Sequence, residues 1–170
     1  MSERLEIRAL SESEVLQLTL LAREIWHAHY PGIISVAQIE YMLNERYAET
    51  VIHDELKRHD LWWDVLLLND KLTGYTSYFV TEVPETIKID KLYLHPSAQR
   101  LGYARLLIDH VTSRMASQGC KRLTLAVNRH NKSAIAAYLK HGFVIAETSL
   151  KTIGGGFLMD DYIMVKSVNR

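Results

Sequence analysis

An apolar run, Leu92-Tyr93-Leu94, leads through His95-Pro96 and Ser97-Ala98-Gln99-Arg100-Leu101-Gly102 to Tyr103-Ala104, where a helical pattern begins. Such an entry suits an anion. The first amides of a helix have no intrahelical acceptor, its dipole places about half a positive charge there, and Gly102 lets the backbone come close to a phosphate. Arg100 and Arg105 add charge nearby. A glycine at a helix start also serves plain tight turns, so context must decide. Just upstream, Asp90 shares the alternation parity of Leu92 and Leu94, which puts a carboxylate on their side of the strand. Tyr30 follows His27 and His29 and closes a helical stretch. These two histidines stand two apart, do not share a helix face and make poor co-ligands, but with Tyr30 they can line a pocket. The remaining histidines show no ligand spacing and Cys120 has no thiol partner, so no metal is expected.

The elements that must position these residues follow from periodicity. Glu6 to Ala9 reads as a strand. Ser11 and Glu14 form a capping-box pattern ahead of a helix carrying Val15, Leu18, Leu21, Ala22 and Ile25, which Tyr30-Pro31-Gly32 stops. Helices are predicted near 35–44 and 49–58. Short aromatic and β-branched runs at 62–68, 74–81 and 86–94 predict an antiparallel meander. Ala104, Leu107, Ile108, Val111 and Met115 repeat at helical spacing up to Gly119. A strand at 121–127, a helix at 131–141 ended by Gly142, and strands at 143–149 and 157–165 complete the chain. Asp160-Asp161 and the triple glycine Gly154-Gly155-Gly156 read as a hairpin end. A meander followed by alternating helices and strands predicts an α/β (α+β) fold, a mixed sheet with helices on its faces.

With 170 residues, one domain over 1–170 is expected. A net charge of +0 argues against a nucleic-acid partner. Residues 1–95 hold 9 basic and 16 acidic side chains, and 96–170 hold 11 and 4. A polyanion is therefore favoured near the C-terminal half and a cation near the N-terminal half. No apolar run reaches the ~20 residues of a membrane helix, and Met-Ser-Glu-Arg-Leu-Glu lacks a signal-peptide stretch. A cytoplasmic protein with no membrane partner is expected; the lone cysteine fits a reducing compartment.

Gln99-x-x-Gly102-x-Ala104, following Leu-Tyr-Leu-His-Pro, resembles the pyrophosphate loop of the GNAT superfamily of acyl-CoA-dependent N-acyltransferases. The run from Asn128 through Asn131, Ala134, Tyr138 and Gly142 to Phe143 resembles that superfamily's second cofactor motif, and the two occur in the right order. The resemblance is sharp from Thr86 to Phe143 and looser over the N-terminal helices. It implies a GNAT-like, mostly antiparallel sheet, splayed between the runs ending at Leu94 and Val127, with helices on both faces. It also implies acetyl-CoA as acyl donor. Backbone groups of the Leu92-Tyr93-Leu94 run would pair with the pantetheine arm. Amides of Gln99, Arg100, Leu101, Gly102, Tyr103 and Ala104 would hold the pyrophosphate, and Asn131 would touch the cofactor arm. Tyr138, which pattern alone reads as a core ring, matches the tyrosine placed beside the cofactor sulfur and becomes the general acid. Tyr30 and Asp90 are the candidate acceptor-side residues.

The implied reaction is direct N-acetylation of a primary amine. Bringing an amine of pKa about 10.4 to its neutral form at pH 7.4 costs about 4 kcal/mol, so a base or a water chain is required. The Tyr30 to Leu43 segment and the Phe157-x-Met-Asp-Asp-Tyr ending are loosely similar to bacterial spermidine/spermine acetyltransferases. A small cationic amine is thus one acceptor and protein or peptide amines are another, with a homodimer among the arrangements similar enzymes use. A non-catalytic coenzyme A-binding module is the rival reading. A nucleotide enzyme is the second, disfavoured because neither a P-loop Lys-Ser/Thr nor G-x-G-x-x-G is present.

Overall fold

Residues 3–168 are described by a computed structural model. The strands are β1 (Leu5–Ala9), β2 (Leu61–Leu68), β3 (Lys71–Val80), β4 (Thr86–Leu94), β5 (Arg122–Asn128), β6 (Val144–Gly154) and β7 (Phe157–Ser167). The helices are α1 (Val15–His29), α2 (Val36–Arg46), α3 (Glu49–Leu56), α4 (Tyr103–Ala116) and α5 (Lys132–Lys140). All seven strands join one sheet in the order β1-β2-β3-β4-β5-β7-β6. Every pairing is antiparallel except β4 with β5. The predicted mixed sheet, its meander and helices on both faces are all present.

Helices α1 to α4 bury apolar side chains against the sheet, and α5 packs with partly buried ones. From α1 to α3, Leu18, Ile25, Trp26, Ile39, Leu43 and Ile52 pack with Trp63, Val65 and Tyr75 of the sheet. On the opposite face Ile108, Val111 and Met115 of α4 meet Ile87, Leu123 and Leu125, and Ala134, Ile135 and Tyr138 of α5 join them. Each fully buried Leu, Ile or Val contributes about 1.5–3 kcal/mol, so the two faces together fix the helices on the sheet.

Several boundaries differ from the sequence reading. Strand β3 begins at Lys71 because Asn69 and Asp70, at φ 51° and 66°, make a two-residue hairpin turn. Helix α4 does begin at Tyr103, as the spacing predicts, after a 3-10 turn at Pro96–Ala98. Strand β6 runs on to Gly154, carried by its ladder with β7. Asp160 and Asp161 therefore lie within β7, and the glycines alone make the turn. That turn rests on α2, where the Tyr41 hydroxyl donates to the Ile153 carbonyl at 2.9 Å. Gly154 has φ +95°, and a Cβ there would collide with the Tyr41 hydroxyl. Gly154→Ala is expected to lower stability by about 1–2 kcal/mol from backbone strain alone, read as a reduced Tm.

Candidate active site

Only Thr86–Lys88 and Arg122–Thr124 pair between β4 and β5. Beyond them the parallel strands separate, and their facing backbone groups have no strand partner. A bulge in β4 accompanies the parting: Lys91 lies opposite Ser77 and Ile89 opposite Tyr78, which leaves Asp90 unpaired. A cavity of about 390 Å³ occupies the gap, lined by Ile89 and Leu92 from one strand and Leu125 and Val127 from the other. Gln99, Arg100 and Ala104 border it on the α4 side, and Trp26, Tyr30 and Arg46 on the α1–α2 side.

The loop before α4 has the geometry of an anion cradle. Gly102 is the N-cap residue at φ +86°, a conformation that other residues rarely adopt, and it supplies no capping side chain. The first amides of α4 are thus left free for a ligand. A Cβ at Gly102 would meet nothing within 4 Å, so the glycine is required by φ and not by crowding from the protein. Gln99 directs its Nε2 back to the Leu94 carbonyl at 3.2 Å and so ties the loop to the end of β4. Leu101 is exposed, and Tyr103 donates to Glu3, so these residues can serve the cradle only through their amides. Gly102→Ala is expected to weaken coenzyme A binding about 5- to 30-fold, the equivalent of about 1–2 kcal/mol of left-handed strain, as read by calorimetric titration.

Asn131 is the residue at the start of α5, is buried, and accepts through its Oδ1 from His29 Nε2 at 3.0 Å, linking α1 to α5 across the cavity. Tyr138 lines the cavity and stacks its ring edge-on against Phe143 at 5.6 Å. Its hydroxyl has no hydrogen-bond partner among the described residues. Burial pushes that hydroxyl well above the usual tyrosine pKa and keeps it protonated.

The far wall is aromatic and charged. Tyr30 is buried, and its hydroxyl shares a hydrogen bond of 2.8 Å with that of Tyr93. Of the two neighbouring histidines only His29 lines the cavity; His27 is bonded to Glu40 at 2.7 Å. The parity reading of Asp90 is corrected by the bulge. Leu94 packs with Leu66 and Leu107 beneath α4, whereas Asp90 turns to α2, where Arg46 donates to its Oδ1 at 3.1 Å. Lys91 adds a second ion pair at 2.5 Å from a side chain that is 3% exposed. Burial would raise the Asp90 carboxyl, but Lys91 and Arg46 outweigh it and hold the group far below the usual carboxylate range.

A second carboxylate lines this wall that sequence reading placed in a turn. Asp161 of β7 is 6% exposed, and its carboxylate makes no hydrogen bond or ion pair among the described residues. Burial pushes its pKa up, and the charges of Lys88 and Arg46 only partly offset this. Its signal in the sequence was an acidic residue inside an apolar strand, Phe157 to Val165. No cluster of three His, Cys, Asp or Glu residues able to hold a metal occurs among the described residues. Among the described residues no helix is long and apolar enough to cross a membrane.

A splayed parallel pair, a free helix start at one side and a closed polar wall at the other define an acyl-transfer cleft. The acetyltransferase (GNAT) family model matches residues 21–143, and the chain belongs to that family. It is an acetyl-CoA-dependent N-acetyltransferase. The chain is 28% identical over 160 residues to a spermidine N(1)-acetyltransferase of Thermoplasma acidophilum, covering 92% of this chain and 96% of the relative. It is 28% identical over 137 residues to a 5-NmdU N-acetyltransferase of Pseudomonas phage PaMx11, covering 77% and 91%. In structure it resembles the PaiA N-acetyltransferase of Thermoplasma acidophilum, solved with coenzyme A, at a TM-score of 0.85 and 27% identity over 98% of this chain and 99% of that one.

Proposed function

We propose that this enzyme acetylates a primary aliphatic amine of a small polycation, of the spermidine type, by direct transfer. The observation that carries the reading is the single cavity reaching from the α4 start, through the β4–β5 gap, to a wall bearing Asp161. The similarity to a spermidine N(1)-acetyltransferase over nearly the whole chain supports the same acceptor class.

Acetyl-CoA, when bound, supplies an activated acetyl group whose thiol departs easily. The amides from Gln99 through Ala104 are assigned to its pyrophosphate, the open backbone edge at Leu92-Tyr93-Leu94 to its pantetheine arm, and Asn131 to the same arm. Tyr138 is assigned as the proton donor to the departing sulfur, a role that suits a protonated, unpartnered hydroxyl at the cavity wall. Asp90 is a poor proton acceptor, because two cations stabilise its charged form. Water within the cavity is therefore assigned to removing the amine's proton, and Asp90 to fixing Arg46 and Lys91 in the acceptor wall.

Thiol release from acetyl-CoA with a panel of amines tests this reading. Spermidine and short diamines are expected to turn over with a higher kcat/KM than peptide N-termini or aminomethyl pyrimidines. Turnover confined to peptides or nucleosides would replace the polyamine reading, and coenzyme A binding without release by any amine would favour a binding module. A cytoplasmic location is part of the proposal, and cell fractionation checks it.

A further inference from the structure

Two carboxylates line the acceptor wall, and their surroundings are opposite. Asp90 is held by Arg46 at 3.1 Å and by Lys91 at 2.5 Å, so its charge is spent inside the protein. Asp161 is as deeply buried as a core residue at 6% exposure, faces the same cavity, and has no side-chain partner among the described residues. Its carboxylate oxygens are not sealed in the core but open to the cavity, where a ligand can reach them. Lys88, the cation whose charge acts on it most through space, lies over the Phe79 ring at 5.9 Å. Asp160 and Lys151 are the other charges felt from its own hairpin, and Arg46 the one from α2. The carboxylate is thus open to a cation brought in from outside.

The position of Asp161 says which nitrogen that cation is. Asp161 pairs in register with Asn128 of β5, so it stands one strand beyond the edge of the gap between β4 and β5. Neighbouring strands are about 4.8 Å apart, which sets the carboxylate back by roughly that distance from the strand edge where acyl transfer takes place. An ammonium seated on a carboxylate is also stabilised in its charged form and cannot act as nucleophile while it stays there. From these facts we infer that Asp161 binds a second, non-reacting ammonium of the acceptor. It thereby selects amines that carry a further cationic nitrogen. At about 1.5 Å per bond, three or four methylenes span the strand spacing between the two nitrogens. The inference rests on the proposed amine-acetylating reading of the cavity and names its specificity residue.

The test compares butane-1,4-diamine with butylamine as acceptors for the wild-type enzyme and for Asp161→Asn. The wild type is expected to favour the diamine in kcat/KM by at least 10-fold, through KM. In Asp161→Asn that preference is expected to collapse to within about 2-fold, with butylamine kinetics and the KM for acetyl-CoA unchanged. Asp161→Glu, which keeps the charge, is expected to retain part of the preference. Because no partner is lost, the Tm of Asp161→Asn is expected to equal or exceed that of the wild type. A diamine preference that survives in Asp161→Asn would overturn the inference. So would equal use of both amines by the wild type, although the enzyme would remain an amine acetyltransferase. A lower Tm in Asp161→Asn would also overturn it, by showing that the carboxylate serves the fold. Absence of thiol release with either amine in the wild type would instead reject the proposed function on which the inference stands.

Discussion

Tyr138→Phe is expected to lower kcat on the order of 10²-fold while the affinity for coenzyme A changes less than about 2-fold. The hydroxyl makes no hydrogen bond within the described protein, so its removal leaves no orphaned partner and the ring keeps its contact with Phe143. The loss is confined to proton donation, which in enzymes contributes about 10²–10⁴-fold. A thiol of reference pKa about 8.5 leaves without much help, which places the expectation at the low end of that range. The two steady-state constants, with a titration of coenzyme A into the variant, check it. An unchanged kcat removes Tyr138 from the chemistry and leaves it as a core tyrosine. A parallel loss of kcat and coenzyme A affinity points to misplacement of α5.

Asp90→Asn is expected to cost about 3 kcal/mol of stability at neutral pH. The substitution leaves Lys91, 3% exposed over the Trp63 and Tyr47 rings, and Arg46 without their counter-charge. Breaking a buried pair by removing one partner costs about 3–5 kcal/mol, and the partly exposed Asp90 sets the lower figure. In a chain of this length that corresponds to a Tm lower by about 6–12 °C. The pH dependence has a definite sign. The folded carboxyl titrates below its unfolded value of about 3.9, so its contribution is complete above that value and is lost as pH falls further toward the folded pKa. Acid unfolding below about pH 4 is therefore expected to be shallower in Asp90→Asn than in the wild type. Equal Tm values and superimposable acid limbs would show that the pair contributes nothing net.

The different stability responses expected from the same chemical change, Asp to Asn at 90 and at 161, would separate a carboxylate used for structure from one held available to a ligand. They also explain why neither role was legible along the chain. Sequence parity placed Asp90 with Leu92 and Leu94, and it failed because a bulge adds one residue between Ile89 and Lys91 and reverses the alternation. The charge segregation predicted a cation-binding surface from the acidic N-terminal half. In the folded protein that half contributes Arg46, Lys88 and Lys91 to the acceptor wall, while the unpaired carboxylate comes from the basic C-terminal half. A sum over 95 residues carries no information about which few side chains a cavity collects.

The local features were legible because they depend on near neighbours. Helix stripes, the meander, the Gly102 entry into α4 and the spacing from Asn131 to Tyr138 follow from periodicity, φ preference and helix-end chemistry, all fixed within a few residues. These sufficed for the fold class and for an anion-binding helix start, while acetyl-CoA as donor followed from the resemblance of these motifs to the GNAT superfamily. The parting of β4 from β5, the turning of Asp90 to Arg46 and the arrival of Asp161 opposite Asn128 depend on pairings 33 to 44 residues apart. Only the assembled sheet decides them, because the register between distant strands is set jointly by both cores and written in no single segment.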